Sequence, residues 1–172
     1  MAISMHSASA PIFARMLGNI DHWLDKAEAH AAARKFDTQV FLGSRLAPDM
    51  LPFLNQIQIA CDSAKFCMAR LSATEAPKFE DNEASLADLR QRVKKTIDYV
   101  LSVPAAQLDG SDEREVTVPQ RSGPLKMTGE AYLKHFALPN FFFHVTTAYA
   151  LLRHAGVELG KRDYLAGGNP PA

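Results

Sequence analysis

The sequence has little of what usually betrays a function. Only 2 of its 172 residues are cysteine. Cys61 and Cys67 fall six residues apart in an apolar stretch, on different faces of any helix that carries both, so they cannot bridge each other. They read as small buried hydrophobes of a reducing compartment, which makes a cytoplasmic location the expectation. Neither sign of charge dominates, because 19 Lys and Arg balance 19 Asp and Glu. The longest basic clusters are pairs such as Lys94-Lys95 and Lys161-Arg162, and without a basic stripe no nucleic-acid partner is expected. A net charge near zero weakens colloidal repulsion and so favours self-association. No uncharged apolar run approaches the length of a bilayer span, and no basic segment followed by an apolar core opens the chain. Neither a membrane partner nor a signal peptide is therefore expected.

Catalytic signatures are also scarce. The chain has no Cys-x-x-Cys, no His-Glu-x-x-His, no phosphate-binding glycine loop, no Gly-x-Ser-x-Gly and no Glu-x-x-His of the di-iron bundle type. Each missing pattern removes the chemistry that depends on it.

What is present is helical periodicity. With 47% hydrophobic and 22% charged residues the chain is globular in composition, and its length suits one domain spanning 1–172. Ile12, Met16, Ile20, Trp23 and Ala27 recur at helical spacing within 4–34, with Pro11 marking the regular start. A second helix is expected from about Pro48, irregular at Pro52, with Leu54, Ile57, Cys61, Ala64, Met68 and Leu71 in one stripe and Phe53, Ala60 and Cys67 in another. Apolar over most of its circumference, it belongs deep inside. After an acidic loop over 73–84, Ser85 to Asp88 has the form of a capping box. The helix it opens sets Leu86, Leu89, Val93, Ile97 and Val100 against Arg90, Arg92, Lys94, Lys95 and Asp98, an amphipathic surface pattern, and Pro104 ends it. Residues 115–119 and 125–128 flank Gly123-Pro124 and suit a small β-hairpin that must lean on the helices. Helix resumes near Gly129, is expected to break at Pro139, and continues to Arg153, with Gly156 as its C-terminal cap. No Asp, Glu, Lys or Arg occurs from Leu138 to Leu152, so this helix is central. Residues 166–172, rich in Gly and Pro, are expected to form a flexible tail. The expected fold is all-α, a four-helix bundle with a β-hairpin in the connection before the last helix.

Polar residues on these apolar helices are the candidate site. Asn140 and His144 are four apart and stack on one face of the last helix, continued by Thr147 and Leu151. A buried imidazole needs hydrogen-bond partners, and Gln56, Asn19 or His22 could supply one. Tyr149 and Arg153, also four apart, and Lys161-Arg162-Asp163 are further candidates, with packing, dipole compensation and tail attachment as their structural roles.

The segment LPNFFFHVTTAYALLRHAG over 138–156, followed by GKRDYL over 160–165, resembles the signature of an uncharacterised bacterial family within the DinB-like, or YfiT-like, superfamily. The resemblance extends over nearly the whole chain and implies an up-down-down-up bundle, often dimeric. It also implies a divalent metal, held by three histidines, one on the second helix and two in a His-x-x-x-His on the last; some relatives are thiol-dependent transferases or isomerases. His144 matches the second of the paired histidines. Asn140 stands at the first, and Gln56 at the second-helix position. One imidazole and two neutral amides would hold zinc or nickel weakly. Three readings follow: a small-molecule-binding or interaction module with a degenerate metal site, a metal-dependent thiol transferase or hydrolase using His144, Asn140 and Gln56, or a structural homodimer without a ligand.

Overall fold

The computed structural model describes residues 3–167. In chain order the elements are α1 (Ala10–Arg34), α2 (Gln39–Leu42), α3 (Phe53–Ser72), α4 (Leu86–Ser102), α5 (Ala105–Leu108), β1 (Glu115–Val118), β2 (Leu125–Thr128), α6 (Gly129–Tyr132), a π-helical turn (Leu133–Ala137), α7 (Leu138–His154) and α8 (Lys161–Ala166). Helices α1, α3, α4 and α7 form the bundle, and α2, α5, α6 and α8 are short attachments.

The four long helices are ordered α1, α4, α3, α7 around the bundle, which puts α1 diagonal to α3 and α4 diagonal to α7. Side-chain partners give the directions. Gln56 meets His144, Ser63 meets Asn140 and Arg70 meets Tyr132, so α3 and α7 are antiparallel. Between α3 and α4 the loop 73–85 returns along α3, with Phe79 over Lys65 and Glu83 on Gln58. It delivers Leu86 to the end where α3 began, so α3 and α4 are parallel. That is the up-down-down-up arrangement.

The core is one cluster, with Phe13, Leu17, Trp23, Phe53, Ile57, Met68 and Phe141 among its fully buried side chains. Each such side chain contributes about 1.5–3 kcal/mol by leaving water. Cys61 and Cys67 are free thiols inside it, and burial pushes the Cys61 pKa up to about 12. In the hairpin Glu115 pairs with Thr128 and Val118 with Leu125. Val116 and Val118 turn into the core, which is how two strands alone stay folded. Gly129 lets the hairpin close on the bundle, since a Cβ there would sit 1.8 Å from the Ser111 carbonyl oxygen.

Capping at Ser85 follows the sequence: its hydroxyl accepts from the Asp88 amide at 3.1 Å and donates to the Asp88 carboxylate at 2.8 Å. Four other expectations need correction. The second long helix begins at Phe53 and not at Pro48, because Pro52 sits in extended conformation at the N-cap, where its missing N–H costs nothing. Pro139 does not break the last helix. The π turn directly before it, in which the Leu138 N–H reaches the Leu133 carbonyl, widens the helix where proline removes a donor and crowds the preceding turn. Arg92 is not on a solvent face; its side chain is 2% exposed and pairs with Asp62 at 3.0 Å and with Asp81 and Glu83 at 2.8 Å each. Buried Lys65, 2.8 Å from Asp62, places its ammonium 4.6 Å from the Phe66 and Phe79 ring centres. This network straps the loop 73–85 onto α3 and α4. Of the tail expected at 166–172, Ala166 is buried at the end of α8, and 168–172 lie outside the described residues.

Candidate functional site

Helices α3 and α7 bring the polar side chains together. His144 is 8% exposed, and its Nδ1 is 2.7 Å from Gln56 Oε1. The Gln56 amide nitrogen donates to the Leu51 carbonyl at 2.8 Å, which turns Oε1 toward the ring. Nδ1 therefore carries the hydrogen and Nε2 keeps its lone pair. Burial lowers the His144 pKa below its usual 6.5, favouring the neutral ring. One turn earlier, Asn140 Nδ2 donates to Ser63 Oγ at 2.7 Å, and Ser63 in turn donates to the Ile59 carbonyl. The amide oxygen of Asn140 keeps its accepting capacity. Gln56 and Ser63 are seven apart on α3, and Asn140 and His144 four apart on α7, so two helical repeats put four polar groups along one seam.

Asn140 and Ser63 lie on the wall of a cavity of about 230 Å³ between α3, β1 and the π turn. Ile59, Phe66, Val118, Phe136 and Ala137 give it apolar surface, and Asp62, Arg70 and Tyr132 give it polar atoms. The π turn supplies Phe136 and Ala137, and such turns recur at functional sites because they re-aim side chains. Tyr132 is 1% exposed and accepts from Arg70 at 3.0 Å; burial pushes its pKa up to about 12, so it stays a phenol.

Residues 5–165 match a family described as a domain of unknown function, DUF1993. The protein belongs to this family. A crystal structure of a DinB family member protein from Shewanella denitrificans is 40% identical, superposes with a TM-score of 0.90, and covers 98% of this chain and 94% of its own. No curated relative matches the chain. The DUF1993 chain thus has the DinB-like bundle that its C-terminal segment implies.

The metal implied by the wider superfamily does not fit the residues this DUF1993 member carries. His144 spends Nδ1 on Gln56, whose oxygen is turned to the ring by that bond. Asn140 spends its nitrogen on Ser63. One neutral imidazole nitrogen and neutral amide oxygens remain, a poor donor set for zinc or nickel. Among the described residues no group of three or more His, Cys, Asp or Glu could hold a metal ion.

The other candidates lie elsewhere. Tyr149 packs edge-on against Trp23 at 5.5 Å and Tyr164 at 5.5 Å, in an aromatic cluster that seats α8. Arg153 is exposed and donates to the Val157 carbonyl at 3.1 Å, closing the turn after α7. Asn19 and His22 do not reach His144: Asn19 donates to the Tyr164 carbonyl at 2.7 Å, and His22 Nε2 lies 3.2 Å from Asp163. Asp163 also meets Lys26 at 2.8 Å and accepts from the Gly160 amide at 2.7 Å. Burial alone would raise its carboxyl, but Lys26, the Gly160 amide and His22 outweigh that and hold it at about 2. Lys161-Arg162-Asp163 is thus an attachment of α8 through its aspartate. The residues that sequence reasoning missed are Ser63, Phe66, Arg70, Tyr132 and Phe136. Ser63 alone had a readable signal, its seven-residue spacing from Gln56.

Among the described residues no helix is long and apolar enough to cross a membrane.

Proposed function

We propose that the protein is a small-molecule-binding module whose ligand occupies the cavity between α3 and the π turn, beside Asn140. The supporting observation is the convergence of Asn140 and Ser63 on one wall of a 230 Å³ cavity whose other walls are largely apolar. A concave apolar site with a few placed polar groups is the usual form of a ligand pocket. His144 and Gln56 act from behind: their bond fixes α7 against α3 and so holds the helix that carries Asn140. The metal-dependent reading lacks a donor set, and a purely structural bundle has no need of the cavity.

A ligand-observed NMR screen of single-ring fragments against the full chain tests this, with Asn140→Phe as the cavity-filling variant. Fragments that bind the natural protein should lose binding in N140F. Hits indifferent to N140F, or the absence of hits, would contradict the proposal.

A further inference from the structure

Arg70 differs from the other cations on this side of the bundle. Lys65 and Arg92 are spent on carboxylates, whereas none among the described residues lies within ion-pair distance of Arg70. Its guanidinium is nonetheless fixed in place. The central carbon is 5.1 Å from the Phe66 ring centre and 5.7 Å from that of Tyr132, and Nη1 donates to the Tyr132 hydroxyl at 3.0 Å. That bond uses one of five N–H donors. The Tyr132 hydroxyl, accepting from Arg70, keeps its own hydrogen to give.

Arg70 also stands where two cavities adjoin. The 230 Å³ cavity beside Asn140 and a second of about 470 Å³ under the loop 73–85 share Asp62, Phe66 and Arg70. Asp62 does not neutralise the guanidinium, because Lys65 at 2.8 Å and Arg92 at 3.0 Å already hold it. Phe66 remains 37% exposed, an aromatic face without cover at the rim. A planar, preorganised fork of donors with no anion of its own, beside apolar walls, matches a carboxylate attached to a hydrophobic body. At 230 Å³ the cavity has room for a small body, one ring or a short chain.

We propose that the cavity takes a small organic monocarboxylate, its carboxylate paired with Arg70 and receiving the Tyr132 hydrogen, its aromatic or short aliphatic body against Phe136, Val118 and Ile59. This rests on the reading of the cavity as the ligand site and names the ligand's chemistry.

Amide NMR titrations of the full chain with benzoate, hexanoate, benzamide and inorganic phosphate test it, in the natural protein, Arg70→Gln and Arg70→Lys. At least one of the two carboxylates should shift the amides of Ser63, Phe66, Arg70, Phe136 and Asn140. Benzamide and phosphate should bind about tenfold or more weakly, and R70Q should weaken the carboxylate by a similar factor while leaving benzamide unchanged. R70K, which keeps the charge and loses the planar fork, should fall between, and it carries the comparison if R70Q does not fold. Equal binding of benzoate and benzamide, indifferent to R70Q and R70K, would overturn the carboxylate and leave the cavity reading standing. Phosphate binding as tightly as the carboxylates would overturn the hydrophobic body. No shift at any cavity amide with any probe would overturn the proposal and the cavity reading together.

Discussion

Two arginines on α4, two positions apart, provide a sharp test of how burial sets the worth of an ion pair. Arg90 and Arg92 each meet three carboxylates. Arg90 is 30% exposed, and Asp21, Asp25 and Glu28 are 44%, 63% and 45% exposed. Arg92 is 2% exposed, and its partner Glu83 is 7% exposed, with Asp62 at 29% and Asp81 at 63%. Replacing Arg90 by Met removes only water-screened pairs and should cost about 0–1 kcal/mol. Replacing Arg92 by Met keeps the apolar stem but strands Glu83 without a cation, at a cost of about 3 kcal/mol. For a chain of this size that lowers Tm by about 6–12 °C. The pH dependence adds a second reading. Burial alone would raise the Glu83 carboxyl; hydrogen bonds from Arg92 and Gln58 outweigh it and hold the pKa below the usual 4.5. Its contribution is therefore present above pH 4.5 and lost as pH falls through the lowered value. In R92M the stranded carboxyl protonates more readily, so the gap to the natural protein should narrow in acid. Urea denaturation of both variants at pH 7 and pH 4 measures this. A loss below about 1 kcal/mol in R92M, or a gap that does not change with pH, would refute the reasoning.

Other outcomes follow from the same geometry. Gly129→Ala should destabilise by at least about 3 kcal/mol, since the new Cβ meets the Ser111 carbonyl and the hairpin must lift; thermal melts measure it. Asp163→Asn should cost about 1–2 kcal/mol after solvent screening and should change Trp23 fluorescence, because weaker side-chain attachment of α8 to Lys26 and Gly160 shifts the Asp163 backbone carbonyl that accepts from the indole. In the natural protein the Asp163 contribution is present above pH 3.8 and lost as pH falls toward 2. His144 is held neutral, so stability should fall as pH drops below 6.5, and His144→Gln should flatten that slope in urea midpoints at pH 7, 6 and 5.

The helices were legible wherever apolar residues followed a helical period, as in α1 from Ile12 to Ala27 and in the uncharged run of α7. The Ser85 cap and the hairpin at Gly123-Pro124 were legible because their chemistry is local. Pro139 misled because a proline rule sees one residue, while the π turn that accommodates it depends on the packing of Leu133 and Ala137. Arg92 misled because residue type says polar; only its place between Leu89 and Thr96, on the side facing α3, reveals burial, and its partners Asp62 and Glu83 meet it through the return path of a loop. The pairing of Gln56 with His144 could be anticipated, since two polar groups on two deeply apolar helices have few other partners. Arg70 could not, because its value depends on having no carboxylate within ion-pair distance among the described residues, and that is a tertiary fact.

The central proposal is chemical: Gln56, Asn140 and His144 serve as a neutral hydrogen-bonded seam beside a ligand cavity rather than as a metal centre. Equilibrium dialysis of the untagged protein and His144→Ala against zinc at neutral pH, with metal content measured afterwards, tests it most directly. The account predicts no stoichiometric zinc that depends on His144. About one zinc per chain, lost in H144A, would contradict it.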